Sequence, residues 1–463
     1  MVSPVQLNTH RRRVVMLGAD LFQSVATPVH DSFVSHLENE EEERQAKYRE
    51  RREYYEGVHE TQLTARQRTY LQLKPHDEFS ANYMPIIVDG MASRMSVEGF
   101  DAGDQSEMFL KWWRANRMDA DQDDTHTEAI RDGDSYVLVG WDNMRNIPTF
   151  HPHMAYDGRD GMHAVYDTET GRIAFAAKRW LIESGNDAGY KRRMNIYTPD
   201  RVLKYVSNQK EHDGDWQLFR TDDWVDVNGI PLGVPVIHFK NRGRGYHHGQ
   251  SELEQAIPMQ NALNKTVIDL LAAADTTSFR ILTMIGGNPS DIDISPGSWV
   301  YMMTPPTEGR IGFIPGEDLR PMIEVVDSFV QRIGQVSDTP LSYFQLSGQM
   351  ASEGTHRQHE SRMITKVKKA SVKFGNSWED TMRMARKLHN TYGDGGMSED
   401  QDIEVRWMDF SARDEDDRLS ARVLRMKDLV ASGVSVYEAA RKAGFSDEAS
   451  ADLAKVDLFN GPQ

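Results

Sequence analysis

Cysteine is absent from all 463 residues. That excludes disulfides, thiolate zinc sites, iron–sulfur clusters and cysteine nucleophiles, and it permits a reducing compartment. Long apolar runs are absent too: nothing approaches the ~18 consecutive apolar residues that a membrane helix needs. Arg11-Arg12-Arg13 before Val14-Val15-Met16-Leu17 imitates a signal peptide, but Asp20 ends the apolar stretch too soon. The expectation is a soluble chain, without membrane contact, that stays in the compartment of its synthesis. Positive charge is in deficit, with 54 Lys and Arg against 71 Asp and Glu and a formal charge of −17. A protein that grips nucleic acid over its whole surface is thereby disfavoured, because neutralising phosphates takes clustered cations. No nucleophile elbow, Walker loop, HExxH or deaminase signature is present. Paired carboxylates abound, but in so acidic a chain their proximity singles out no acid/base pair. No catalytic or cofactor motif is therefore assigned from these residues.

What is there suffices for a core. Apolar residues make up 39% of the chain and charged residues 27%, the balance of a folded protein rather than a disordered one. The length corresponds to about three domains, or to one elongated subunit of several parts.

Residues 1–30 lack a convincing period and read as an arm. Asp31 to Glu56 is charged and helix-friendly, and its run from Glu38 to Arg44 is a solvated helical face. Asn82 to Met95 and Glu107 to Asn116 read as short helices, and Asp119 to Asp132 as an acidic one. Asp121, Asp123 and Asp124 imitate the start of a calcium loop, without its later Gly and bidentate Glu. From Ser135 the period changes to short β-rich segments: Ser135–Trp141, Pro148–His153, Ala164–Asp167, Arg172–Leu181, Met194–Thr198, Arg201–Ser207 and Pro235–Lys240. Hairpin connections are expected at Asp167–Gly171 and Thr198–Asp200. The fold class is α+β.

After Ser251 the chain is mainly helical. Pro258–Ala274 and Glu317–Val336 read as helices, separated by short strands and Gly/Pro turns between Phe279 and Pro315. Leu319, Met322, Ile323, Val326, Val330 and Ile333 share one face of the second helix. Val325, Phe329 and Val336 define another about 100° away. So wide an apolar arc needs neighbours on two sides, and a second subunit is one way to supply them. Gln345–Gly354 is small, polar and mobile-looking. A long helix then runs from Thr355 to Asn390, with Met363, Val367, Ala370, Phe374, Trp378, Met382, Ala385 and Leu388 at steps of three and four, and Gly375 as a candidate bend. It carries nine Lys or Arg against three acidic residues, a basic island in an acidic chain. A linker, a strand at Ile403–Trp407 and short helices from Asp414 to Val456 complete the chain.

Three motifs invite chemistry and fall short. Val234–Phe239 followed by Gly243-Arg-Gly245-Tyr-His-His-Gly249 has the strand, Gly turn and helix of a dinucleotide site. Its spacing is GxGxxxG, however, Pro258 interrupts the helix, and no βαβ unit follows. His151-Pro-His153 and His247-His248 lack a third metal ligand nearby, so no metal site is assigned. Ala431–Lys455 has the outline of a DNA-binding helix-turn-helix, the basis for an alternative reading as a regulator. Its would-be recognition helix opens with Asp447 and Glu448, which would meet phosphates, so two packing helices are the better description.

The order of several phrases resembles the portal proteins of long-tailed (siphovirus-type) bacteriophages. They are Tyr54-Tyr55-Glu56-Gly57, Asn82 to Asp89, Val97-Glu98-Gly99-Phe100, Trp112 to Asn116, Gly133 to Val137, Gly249-Gln250-Ser251-Glu252-Leu253, Ile257 to Lys265, Thr339-Pro340, and the long helix through Trp378-Glu379. The resemblance spans about residues 40 to 410. It implies a non-catalytic ring, normally of twelve subunits, at one capsid vertex of the virion, assembled in the host cytoplasm. Double-stranded DNA would pass through its channel at packaging and ejection. Terminase, major capsid and scaffolding proteins, and a head-completion or adaptor protein would be partners.

The parts implied are an N-terminal arm (1–30), a wing (31–257), a first stem helix (258–274), a clip (275–316), a second stem helix (317–338), a tunnel-loop region (339–354), a long wing helix (355–392), a linker and strand (393–413) and a crown (414–463). DNA in the channel would meet Gln345, Leu346, Ser347, Gly348, Gln349, Met350, Ala351, Ser352, Glu353 and Gly354. Lys366, Lys368, Lys369 and Lys373 lie behind them, facing either DNA or a neighbouring subunit. Leu319, Met322, Val325, Phe329 and Val336 would form the inter-subunit stem.

Overall fold

Period-two strands in the middle of the chain and one long apolar stripe near its end set the architecture. A computed structural model describes residues 42–455, except 60, 62, 73, 75–78, 183–190, 208–215, 244–247, 279–280, 286–309, 315–317, 345–352, 411–414 and 446. In chain order the elements are α1 (Glu42–Glu56), α2 (Ala65–Tyr70), α3 (Met84–Ala92), β1 (Val97–Asp101), α4 (Ser106–Ala115), α5 (Met118–Asp132), β2 (Asp134–Asp142), β3 (Ile147–Met154), β4 (Gly161–Tyr166), β5 (Ile173–Ile182), β6 (Lys191–Tyr197), β7 (Arg201–Ser207), β8 (Gln217–Asp223), β9 (Val236–Lys240), α6 (Ile257–Ser278), β10 (Ile281–Ile285), β11 (Arg310–Ile314), α7 (Arg320–Val336), α8 (Glu353–Tyr392), β12 (Glu404–Trp407), α9 (Glu415–Ala431), α10 (Val436–Lys442) and α11 (Asp447–Lys455).

β2 is the hub. It pairs antiparallel with β3 on one side and β9 on the other, giving the order β3-β2-β9. Its alternation serves two layers, since successive residues of a strand face opposite sides. Val137 and Val139 enter the main core with Phe239 of β9, Phe109 and Trp112 of α4, and the apolar stripe of α8. Tyr136 and Leu138 turn the other way, toward Ala164 of β4 and Ala176 of β5. Strands β4 to β8 form an antiparallel meander in sequence order. The expected turns are there. Gly171 N–H donates to the Asp167 carbonyl, closing β4 to β5, and the Thr198 hydroxyl and amide both bond Arg201 between β6 and β7.

α8 is continuous over 40 residues. Its eight predicted stripe residues are all buried. No bend interrupts its assignment at Gly375; instead a Cβ there would come within 3.3 Å of the Trp407 indole nitrogen, so glycine lets β12 approach. The predicted helices at Pro258–Ala274 and Glu317–Val336 are α6 and α7, with slightly shifted ends. α7 carries Pro321 in its first turn, where the missing N–H costs nothing.

Two strands escape the sequence reading. β1 pairs antiparallel with β12 across some 300 residues, Val97 opposite Trp407 and Asp101 opposite Glu404. β8 lies at the sheet edge and is largely exposed, so it has no apolar alternation to betray it. Of the region between α6 and α7, the hairpin β10–β11 is described, with Ile281 opposite Ile314. At the end of the chain, Met426 of α9 packs on Ala439 and Ala440 of α10 and on Ala443. No helix among the described residues is long and apolar enough to cross a membrane.

Candidate functional site

The basic face of α8 borders a cleft of about 1280 Å³ whose opposite wall is the segment following β9. Arg242, Arg362, Lys366, Lys369 and Lys373 line it, with Glu252 and Asp338 as its acids. Glu252 is the pivot. Buried to 5% exposure, it receives Lys366 Nζ at 2.6 Å and Arg242 at 2.7 Å on one carboxylate oxygen. Asn241 Nδ2 donates to the other at 2.9 Å. Lys366 Nζ also donates to the Ser337 carbonyl, 2.8 Å away, at the end of α7. Burial lowers the Lys366 ammonium pKa, and the Glu252 carboxylate opposes that shift. The knot thus ties α8, the end of α7 and the Gly249–Leu253 phrase together. Removing one member would leave a buried charge unpaired, the costly way to break such a set.

The predicted channel lysines therefore divide. Lys366 is engaged inside its own subunit. Lys373 Nζ donates to the Gly243 carbonyl at 2.7 Å, and Lys368 and Lys369 are exposed. Gln345 to Ser352 lie outside the described residues, while Glu353 and Gly354 open α8. Of the predicted stem residues, Phe329 packs on the main core. Leu319 and Met322 are half-buried, and Val325 and Val336 are 45% and 41% exposed.

Beside the cleft, a second polar cluster is buried. A tight backbone crossing builds it: a Cβ on Gly249 would fall 1.8 Å from the Gly133 carbonyl oxygen, and Gly133 itself has φ +97°. Only glycine fits such an approach. The crossing brings His248 and Gly249 to Asp134, the first residue of β2. Asp134 Oδ1 accepts from Gly249 N–H at 2.7 Å and contacts His238 Nε2 of β9 at 2.8 Å. Its Oδ2 accepts from the Tyr48 hydroxyl at 2.7 Å and lies 3.5 Å from His248 Nδ1. Burial works against ionisation of Asp134, yet the hydrogen bond to His238 and the nearby His248 hold its carboxyl well below the usual range. Burial also lowers His238 to about 4, against the pull of Asp134. The direction that decides the site is a neutral His238 beside an ionised Asp134.

His248 stands out in the sequence without a third ligand near it, because Asp134 and His238 are 104 positions apart and nothing local marks either. His151 and His153 do not converge on a common site. His151 contacts the Thr149 hydroxyl and His153 the Lys178 ammonium. Asp121, Asp123 and Asp124 lie along helix α5 rather than in a loop. In the Gly243–Gly249 stretch, residues 244–247 lie outside the described ones, and Gly249 serves the backbone crossing. The C-terminal helices offer each other their small residues: Ala439 and Ala440 are fully buried between α9 and α11.

Two curated portal proteins are similar to this chain. That of Mycobacterium phage L5 is 25% identical over 331 residues, covering 66% of this chain and 64% of the relative. That of Mycobacterium phage D29 is 26% identical over 333 residues, with the same coverage. The match thus spans just under two thirds of the length of these relatives. Among solved structures, a chain from the neck of an empty gene transfer agent particle overlays with a TM-score of 0.44 at 11% identity, covering 78% of this chain and 88% of that one. A chain from the native gene transfer agent virion gives 0.43 at 12% identity, with the same coverage. The family model for phage portal proteins of the SPP1 Gp6-like type matches residues 34–422, and the chain belongs to that family.

Proposed function

We propose that this chain assembles into the portal ring at one vertex of a phage capsid and forms the channel through which double-stranded DNA is packaged and ejected. The observation that carries the reading is the family match over residues 34–422, the wing-to-long-helix span of the sequence. The exposed apolar side of α7 supports the assembly: Ile323, Val325 and Val336 are 47%, 45% and 41% exposed in the lone subunit. In this reading α6 and α7 are the stem, and the segment between them is the clip that docks terminase and later a head-completion protein. The part from α1 to β9 is the wing, α8 is its long helix, and α9 to α11 are the crown. Residues 345–354 face the DNA. The subunit does no chemistry, and twelve copies close the ring within the virion after assembly with capsid and scaffolding proteins in the host cytoplasm.

Deleting Ser290–Gly309 from the clip tests the reading. The variant is expected to remain soluble and to form rings by negative-stain imaging, while heads built with it hold no nuclease-protected DNA. Normal DNA filling by the deletion variant would remove the clip assignment. Purified full-length protein that never forms a ring with a central hole would remove the portal reading itself.

A further inference from the structure

The buried cluster at the start of β2 has the donor set, spacing and supporting contacts of a metal centre. We propose that Asp134, His238 and His248 bind one divalent transition ion per subunit, zinc by donor type. An Asp carboxylate oxygen, His238 Nε2 and His248 Nδ1 all lie within 4.8 Å of one another, the single such group among the described residues. Zinc bonds of ~2.0–2.2 Å in a tetrahedron put ligand atoms roughly 3.3 Å apart. Asp134 Oδ1 lies 2.8 Å from His238 Nε2 and its other oxygen, Oδ2, 3.5 Å from His248 Nδ1, so each imidazole nitrogen stands near that spacing from the carboxylate. A small inward movement of His248 completes the set. Its side chain is 17% exposed against 1% for the other two, so it is the ligand with room to adjust.

Three further observations point to an ion rather than to a hydrogen-bonded pair alone. His248 Nδ1 is buried without a hydrogen-bond partner, and its nearest acceptor is the Asp134 oxygen 3.5 Å away. A buried polar atom left so is costly unless something binds it. Asp134 is a fully buried carboxylate whose hydrogen-bond partners are a tyrosine hydroxyl, a backbone amide and an imidazole. No Arg or Lys among the described residues is seen within ion-pair distance of it; Lys240 of β9 acts on it only from farther off, and a buried anion with no cation in direct contact is costly.

The outer contacts are also those a ligand set needs. With the ion on Nε2, His238 carries its proton on Nδ1, which sits 2.8 Å from the Tyr166 oxygen as acceptor. His163 stacks on the His248 ring at 5.4 Å and 13°. In metal sites an acceptor on the second ring nitrogen fixes the tautomer, the part Tyr166 takes for His238, while the stacked ring limits how His248 can turn. Imidazole and carboxylate donors suit zinc among the available divalent ions, and three protein ligands leave one position for water. His248 lines the basic cleft, which supplies an entry path. The ion would pin the segment after β9 onto the end of α5 and the start of β2.

Cobalt titration of tag-free full-length protein, first stripped with chelator, tests the site. The expected result is visible d–d absorption of four- or five-coordinate strength, saturating at one Co²⁺ per subunit and displaced by Zn²⁺. His248→Ala should weaken that binding more than tenfold, and Asp134→Asn should abolish it where the variant folds, whereas His151→Ala should leave it unchanged. Zinc should raise the melting temperature of the parent and not that of His248→Ala. Absence of a cobalt spectrum, or full one-to-one binding retained by His248→Ala, would overturn the proposal and leave an Asp–His hydrogen-bond cluster. Neither result depends on ring formation or DNA packaging.

Discussion

α8 and α7 are both amphipathic helices near the end of the chain, yet their apolar surfaces meet different fates. In α8 the whole stripe from Met363 to Leu388 is buried within the subunit, seven of its eight residues at 0% exposure and Ala370 at 7%. In α7 only Val330 and Ile333 reach that state, while Ile323, Val325 and Val336 remain exposed. α8 lies across β9, β2 and β12 and completes a core. α7 runs beside α6, which covers one side of an apolar arc two sides wide. An apolar stripe therefore marks what a helix must bury, and the layers around it decide whether its own chain suffices. The first kind of helix serves folding, and the second, in the proposed ring, serves association.

The sharpest way to break this comparison is to damage each helix where its role is greatest. Trp378 is fully buried in α8, and its Nε1 donates to His126 Nε2 at 2.9 Å. Trp378→Ala should cost about 3–5 kcal/mol through the cavity and the lost bond, read as a fall in the urea midpoint at fixed protein concentration. Val325→Ala on α7 should stay within about 0.5 kcal/mol in the dissociated subunit. Equal losses from the two would erase the distinction.

Acid should act on the α8 side as well. His126 is buried between Trp378 and the Met95 carbonyl, and burial lowers it to about 4 from an ordinary 6.5. A histidine whose folded pKa is depressed adds stability above the unfolded value, and that stability is lost as pH falls through the folded one. Roughly 3 kcal/mol should therefore disappear between pH 6.5 and pH 4, at about 1.4 kcal/mol per unit. The check is the urea midpoint across that range in the parent and in His126→Gln, where Gln can still accept from Trp378. A slope as steep in the variant would assign the acid sensitivity to other groups.

How far the sequence carries is visible in these same elements. The α8 stripe repeats every three or four residues for seven turns, so it was legible in full. So were the hairpins closed at Asp167 and Thr198, whose turn residues act within a few positions. The α7 arc was legible too, and Phe329, assigned to a subunit seam, is partly buried against its own core. β8 was not legible because its side chains are mostly solvated on both faces. β1–β12 and the Asp134–His238–His248 cluster were not, because each joins positions more than a hundred residues apart with no local pattern. Lys366 looked like its basic neighbours; only the fold places Glu252 2.6 Å from it.

Association should respond where α7 is exposed. Phe329→Asp would damage the subunit core as well as any seam, so it cannot separate the two roles. Val325→Asp can. At 45% exposure the new carboxylate stays solvated in the lone subunit, but it would be buried unpaired in a ring interface, at roughly 2–3 kcal/mol per contact. Mass photometry is expected to find folded subunits in place of rings, with the urea midpoint of the subunits unchanged. Rings as stable as the parent's would place the stem interface elsewhere.

The smallest effect, and the one that most refines the basic face of α8, concerns Lys368 and Lys369. Unlike Lys366, which Glu252 and the Ser337 carbonyl hold, these two are exposed. Replacing both with Gln should leave subunit folding untouched, as surface charges away from buried partners usually do. In the assembled ring they have two destinations, the DNA in the channel or acidic groups on an adjacent subunit. Phosphate contacts release counterions, so each one lost lowers the salt dependence of DNA retention by about one unit of slope. Intact rings that lose packaged DNA, with a flatter salt dependence, would put the lysines in the channel. Rings that come apart at moderate salt while the survivors package normally would put them in the seam. The second outcome would extend association from α7 to α8, and would confine the contrast between the two helices to their apolar faces.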